Sequence, residues 1–213
     1  MPAINNELKV CRTSELLNYF SPIINQEVRN NPSKPAQASK DVLKLFADKI
    51  HSCTGRHVVF FAHSIDGGRV LVTPHGHEDL DDALGSASAI ADRDSHCVDD
   101  KIDLVSVFVI SEQSLGFGIA GDLLNRITVG IGNDWSRADI DLYFEHALDA
   151  LRNAENSQNR FTVIGSRFAG GKLVFREQFF CVNESDCEPE YEKAHRSGFI
   201  YASLPVYSLD FYK

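Results

Sequence analysis

The chain has 213 residues, of which 43% are hydrophobic, and its formal net charge is −9. This length and hydrophobic content are enough to bury one substantial core, so we expect a single compact unit with additional segments. The negative charge argues against nucleic acid and against an anionic membrane as partners, because both would repel the average surface of the protein.

The cysteines and the N-terminus bear on the cellular compartment. The chain has five cysteines, an odd number without regular spacing, which predicts small buried side chains in a reducing compartment rather than a disulfide framework. They are Cys11, Cys53, Cys97, Cys181 and Cys187. No stretch is long enough to span a bilayer, and residues 1–9 lack the features of a secretory signal. We therefore expect a cytoplasmic protein, although an effector exported without a cleaved signal would have the same features.

The first predicted element is a short helix within residues 8–26, which starts near Thr13 and is interrupted by Pro22. Two prolines and several turn-forming residues at positions 30–35 predict a linker. We accordingly divide the chain into an N-terminal helix and linker, residues 1–38, and a single α+β domain, residues 39–213.

The domain is predicted to begin with a helix capped by Ser39 that ends near residues 53–55. Residues 57–63 and 69–73 are rich in β-formers and flank Asp-Gly-Gly at 66–68, a sequence that favours a tight turn. We expect a β-hairpin here.

A second helix is predicted at residues 78–92, with an acidic start and an apolar face made mostly of alanine. Strands are predicted at residues 104–110 and 115–120, and a further short strand at residues 126–130. This part of the chain therefore repeats the order of a helix followed by paired strands.

Ser136 is predicted to cap a long amphipathic helix, and a third hairpin follows at residues 161–167 and 172–182. The polar residues 183–197 indicate a loop. Residues 199–212 indicate a strand whose proline confines it to an edge of the sheet. Such an edge often pairs with a second copy of the chain, so we expect a homodimer.

Three segments thus share one pattern, a helix followed by two runs of β-formers, at residues 39–73, 78–121 and 136–182. The pattern predicts an α+β fold with one antiparallel sheet and packed helices. One face of that sheet would be backed by helices, and the other would hold a small ligand.

A candidate metal site lies at His75, His77 and Asp79. Two imidazoles two residues apart and a carboxylate two residues further on can converge on zinc, iron or manganese. The segment resembles the first half of the His-x-His-x-Asp-His signature of the metallo-β-lactamase superfamily, but Leu80 stands where that family has a further histidine. The alternative is that these are exposed polar residues that cap the following helix.

Residues 41–61, 64–76, 114–120 and 135–148 together resemble the GAF family. Members typically begin with a helix that ends in Thr-Gly, then a strand, an acidic-glycine turn and a second strand. The resemblance covers roughly residues 39–156, and residues 160–213 add strands that the family does not require. It implies a regulatory domain that binds a cyclic nucleotide, a chromophore, a small metabolite or nothing, and that often dimerises.

The resemblance also implies a pocket. Its approximate positions are Phe61 and His63 on the first strand, Cys97 and Phe108 near the third, and Phe117 on the fourth. The sequence does not identify the cofactor or ligand that this pocket would bind.

No complete catalytic set of residues is present in the sequence, so we expect a small-molecule-binding or protein-interaction regulatory domain without catalysis. One alternative is a metal-dependent hydrolase that uses His75, His77 and Asp79. Another is an exported effector or partner-binding subunit that docks through its aromatic C-terminal strand.

Overall fold

The computed structural model describes residues 13–53, 56–65, 69–96, 103–111, 117–157, 159–176 and 178–206, without the side chains of residues 69, 93–96 and 103. Within these ranges the helices are α1 (Thr13–Asn30), α2 (Pro35–His51), α3 (Leu80–His96), α4 (Phe117–Gly130), α5 (Arg137–Asn156) and α6 (Glu188–Arg196). The strands are β1 (His57–Ile65), β2 (Arg69–His77), β3 (Asp103–Ser111), β4 (Phe161–Ala169), β5 (Lys172–Phe175), β6 (Phe179–Cys181) and β7 (Ile200–Pro205). The α+β class is confirmed. None of these helices combines the length and apolar character needed to cross a bilayer.

The strands form two antiparallel sheets instead of the single sheet that the sequence predicted. The first sheet has the order β2-β1-β3. In the second, β4 is the central strand, with β7 on one side and β5 and β6 on the other. Two helices, α4 and α5, separate β3 from β4 along the chain, so the third hairpin starts a sheet of its own.

Helix α4 occupies a segment for which strands were predicted. The predicted strands at residues 115–120 and 126–130 are wrong wherever the structure describes these residues, because Phe117–Gly130 is helical. The apolar residues recur with helical spacing and are buried in the core; they are Ala120, Leu123, Leu124 and Ile127. This period over 14 residues outweighs the short alternation of apolar residues from which a strand was inferred.

Two predicted helix boundaries are corrected. Helix α1 continues through Pro22 to Asn30 without interruption, and the carbonyl of Leu17 accepts a hydrogen bond from the Ser21 hydroxyl at 3.5 Å. Helix α2 begins at Pro35, which suits the first turn because its missing N–H is not needed there. Ser39 is therefore inside the helix rather than at its cap, and its hydroxyl donates to the Pro35 carbonyl at 2.9 Å.

The predicted loop at residues 183–197 is also wrong, because it contains a 3-10 helix, Glu184–Cys187, and α6. Pro189 lies at the start of α6, where proline is favourable. Acidic residues in the first turn and basic residues in the last turn further favour this helix through its dipole.

Two cysteines are paired, contrary to the sequence-based expectation. The short 3-10 turn brings the end of β6 next to the start of α6, where Cys181 and Cys187 form a disulfide with Cα atoms 6.3 Å apart. Cys53 is a half-buried free thiol whose pKa is raised by burial. Cys11 and Cys97 lie outside the described residues.

Helices cover both faces of the first sheet, so neither face is open in the way that was predicted. Val58, Phe60 and Ala62 of β1 face the main core, to which α1 and α2 contribute. The intervening Val59 packs with alanines of α3 in a second cluster. Helix α1 belongs to the main core, since the apolar side of this helix is completely buried.

Helix α4 packs against both α2 and β7 and thereby joins the two sheets. Arg126 of α4 marks this joint: its guanidinium donates to Asp122 Oδ2 at 2.8 Å, to the carboxylate of Glu184 and to the Ser203 hydroxyl. Ser203 is only 6% exposed. The hydrogen bond from Arg126 lowers the pKa of Glu184. One arginine therefore links α4, the 3-10 helix and β7.

Candidate functional site

A cleft of about 300 Å³ lies between α1, α2 and β2. Its floor is apolar and almost fully buried; the floor residues are Ile23, Ala38, Val42, Phe46 and Val72. Its rim carries the polar side chains Glu27, Asn31, Lys34, Gln37 and Asp41. The cleft therefore combines an apolar interior with a polar mouth, which is the usual character of a small-molecule site.

The local sequence explains why these residues meet. The short turn between Asn30 and Pro35 lays α1 and α2 against each other. Ile23 and Glu27 are four residues apart on α1, as are Ala38 and Val42 on α2, so each pair lies on one side of its helix. Each helix thus contributes one stripe to the cleft, and alternate residues of β2 supply the third wall.

Glu27 ties α1 to the edge strand β2. Its carboxylate accepts a hydrogen bond from the Val70 N–H at 3.0 Å, so this N–H points away from β1. Because backbone groups alternate along an antiparallel strand, Val72 and Pro74 also direct their backbone groups outward. Proline has no N–H to donate. The exposed edge of β2 therefore has no free backbone donor at residues 70 and 74.

The charges at the mouth of the cleft favour a cation. Two carboxylates, of Glu27 and Asp41, line it together with one ammonium group, of Lys34. Gln37 donates to Asp41 Oδ1 at 2.8 Å, which holds that carboxylate near the rim. A bound molecule with a positively charged or donating end would meet more acceptors than donors.

The residues predicted to line a pocket do not converge. Phe61 and His63 lie on one face of β1, with ring centroids 5.3 Å apart. Phe108 pairs in register with Phe60 and so shares the opposite face. Phe117 begins α4 in the main core, and Cys97 lies outside the described residues.

Phe108 is a core residue in this fold. It is fully buried, and its ring centroid lies 5.4 Å from that of Phe60 and 5.1 Å from that of Tyr19. Phe20 and Phe46 complete the cluster at 5.7 and 6.2 Å. A ligand has no access to this side chain.

The three residues predicted to bind a metal likewise do not converge on one site. His75 and His77 belong to β2, but Asp79 begins the turn into α3, where its Oδ1 accepts from the N–H groups of Asp81 and Asp82 at 2.9 and 3.2 Å. Asp79 thus acts as a helix cap, the alternative considered from the sequence. In the described part of the chain, no three histidine, cysteine, aspartate or glutamate residues are grouped as metal ligands would be.

Sequence inspection identified none of the cleft residues. The prolines at residues 30–35 predicted a linker between an N-terminal helix and the domain, and not two helices packed side by side. The third wall depends on β2, which is remote from α1 in sequence. In comparisons with protein-family models, with curated proteins and with solved structures, nothing matches this chain. Function is therefore inferred from the chemistry of the residues themselves.

Proposed function

We propose that the chain is a regulatory ligand-binding domain without catalysis. Its ligand is a small molecule with an apolar body and an amine or another hydrogen-bond-donating end, held in the cleft between α1, α2 and β2. The observation that carries this proposal is the buried apolar floor beneath a rim with two carboxylates and one ammonium group. The sequence resemblance of residues 41–61, 64–76 and 135–148 to the GAF family supports the same functional class.

The edge of β2 favours a small molecule over an extended peptide. A peptide that added to the sheet would need backbone donors from β2. The Val70 N–H is already donated to Glu27, and Pro74 offers none. A peptide would therefore find no free backbone donor at two of the outward-facing positions of β2.

Two simple probes test the chemistry of the cleft. Phenethylamine and 3-phenylpropionate share an apolar body and carry opposite charges. We expect phenethylamine to bind with a Kd on the order of 1 mM in ligand-observed NMR. It should bind at least about fivefold more tightly than the acid, since one ion contact in water contributes about 1 kcal/mol.

A matched pair of variants locates the binding site. Ala38→Phe fills the cleft from its floor and should abolish phenethylamine binding, whereas Ala89→Phe, at an exposed position of α3, should leave it unchanged. Asp41→Asn changes an exposed rim residue and should reduce the preference for the amine without a change in fold. Equal binding of both probes, or normal binding to Ala38→Phe, would contradict the proposal.

The location that we propose is the cytoplasm, and the cysteine pair supplies a test. A reducing cytoplasm keeps such pairs as thiols. The Cys181–Cys187 disulfide of the structure would then be absent in the cell. Because both residues are buried, the alkylation is done in denaturant at the moment of lysis, and mass spectrometry should find both residues modified. Protection of both residues until reductant is added would place the protein in an oxidising compartment.

The homodimer stays a prediction from the edge strand.

A further inference from the structure

A second site is indicated on the first sheet, where His57 of β1 stands directly opposite His77 of β2 in the antiparallel register. Side chains of directly opposed residues project to the same face, with Cβ atoms about 5 Å apart. On β1, this is the face to which Val59 contributes and against which α3 packs. The register thus brings together two imidazoles that are 20 positions apart in the sequence.

Both histidines have a buried ring nitrogen without a protein partner. His57 is only 4% exposed, and its Nδ1 makes no hydrogen bond. His77 is half-buried, and its Nε2 is likewise buried and unpartnered. Buried polar atoms are nearly always satisfied, and an unsatisfied one costs about 1–3 kcal/mol, so two on one cross-strand pair need an explanation.

We propose that His57 and His77 bind a divalent late first-row transition-metal ion, such as Zn²⁺. Neutral imidazole is a preferred ligand of these ions, at a Zn–N distance of about 2.0–2.1 Å. One ion that bridges both rings would satisfy both nitrogens at once. Water or a small anion would complete the coordination.

This pair differs from the one inferred from the sequence. His75 is two residues from His77 on the same strand, but it is exposed, and its ring packs edge-on against Phe61 at 5.1 Å. Asp79 is engaged with the N-terminus of α3. The cross-strand neighbour His57, unlike the exposed His75, therefore has a buried nitrogen that lacks a protein partner.

The site is independent of the cleft. His77 lies at the far end of β2 from Val70, a separation of seven residues or about 23 Å along an extended strand. Val72 faces the main core, whereas His57 and His77 share the face covered by α3. Metal binding and amine binding can therefore succeed or fail separately.

Zinc titration of the full-length protein tests the proposal. Isothermal titration calorimetry should show one Zn²⁺ per chain, and Mg²⁺, which requires oxygen ligands, should not bind. In long-range ¹H–¹⁵N spectra, Zn²⁺ should shift the ring nitrogens of His57 and His77 and leave those of His75 in place.

Three glutamine variants separate the alternatives. His57→Gln and His77→Gln should each weaken Zn²⁺ binding at least about tenfold, since each removes one of two ligands. His75→Gln is the matched control and should bind like the parent protein. The proposal is overturned if the parent binds no zinc, if His57→Gln binds normally, or if the spectra show His75 as a ligand. The spectra of the parent protein decide the question even if His57→Gln does not fold.

Discussion

Replacement of Phe108 by alanine is expected to lower the free energy of unfolding by about 4 kcal/mol. The side chain is fully buried, and four aromatic rings have centroids within 6.2 Å of its own. Its removal loses their contacts and leaves a cavity, because close-packed neighbours relax only partly. Urea unfolding followed by the fluorescence of Trp135, the single tryptophan, measures the effect.

Phe168→Ala is the control for the Phe108 experiment. It removes the same ring from a position that is 47% exposed, so the loss should be no more than about 1 kcal/mol. The comparison also distinguishes the two roles considered for Phe108. A ligand-contacting residue would tolerate alanine with little change in stability, and that outcome would contradict the place of Phe108 in the core.

Gly130→Ala should destabilise the fold by about 2–3 kcal/mol through overpacking. A Cβ atom at residue 130 would collide with the hydroxyl of Tyr143 and come within 2.7 Å of its Cζ. Tyr143 cannot swing away, since it is 1% exposed and its ring lies 5.2 Å from that of Trp135. Guanidinium unfolding followed by circular dichroism should show a lower midpoint with an unchanged slope.

Gly85→Ala is the matched control for this substitution. Gly85 lies in the middle of α3, and a Cβ there meets nothing within 4 Å, so alanine should stabilise by about 0.5–1 kcal/mol through helix propensity. Tyr143→Phe should restore part of the stability of Gly130→Ala, because it removes the atom nearest to the new methyl group. No loss of stability in Gly130→Ala would mean that α4 and α5 pack less closely than described.

The Tyr143 hydroxyl has no hydrogen-bond partner, which supports the use of Tyr143→Phe as the rescuing substitution. The hydroxyl is buried, and burial raises its pKa. A buried hydroxyl without a partner contributes a desolvation cost rather than stability. Tyr143→Phe on its own is therefore a mild change, which makes it suitable as the second substitution in the rescue.

The sequence correctly predicted a turn and a helix cap that each depend on only a few consecutive residues. The hairpin at β4 and β5 forms around Gly170 and Gly171, both with positive φ, as the Ala-Gly-Gly turn required. Ser136 caps α5 in a reciprocal arrangement with Asp139, as its sequence indicated. The α4 segment was mistaken for strands because a five- or six-residue apolar run fits both periods, and only its packing against α2 and β7 decides between them.

The candidate sites were beyond sequence inspection for a related reason. Phe61 and Phe108 are both aromatic residues of the kind expected in a ligand pocket. However, side chains alternate between the two faces of β1, and the register with β3 places Phe61 and Phe108 on opposite faces of the sheet. His75 and His77 looked like a pair because they are neighbours in the chain. His57 became the neighbour of His77 only through the pairing of β1 with β2.

By itself the sequence determined the cap of α5, the turn between β4 and β5 and the α+β class, because these depend on backbone preferences and on periodicities within one segment. The tertiary structure decided that the strands divide between two sheets, that α3 closes the face expected to hold a ligand, and that a cleft opens beside β2 instead. Those outcomes depend on which distant segments bury their apolar surfaces against each other. The free energy of the whole core determines which segments pack together, and no single segment contains that information.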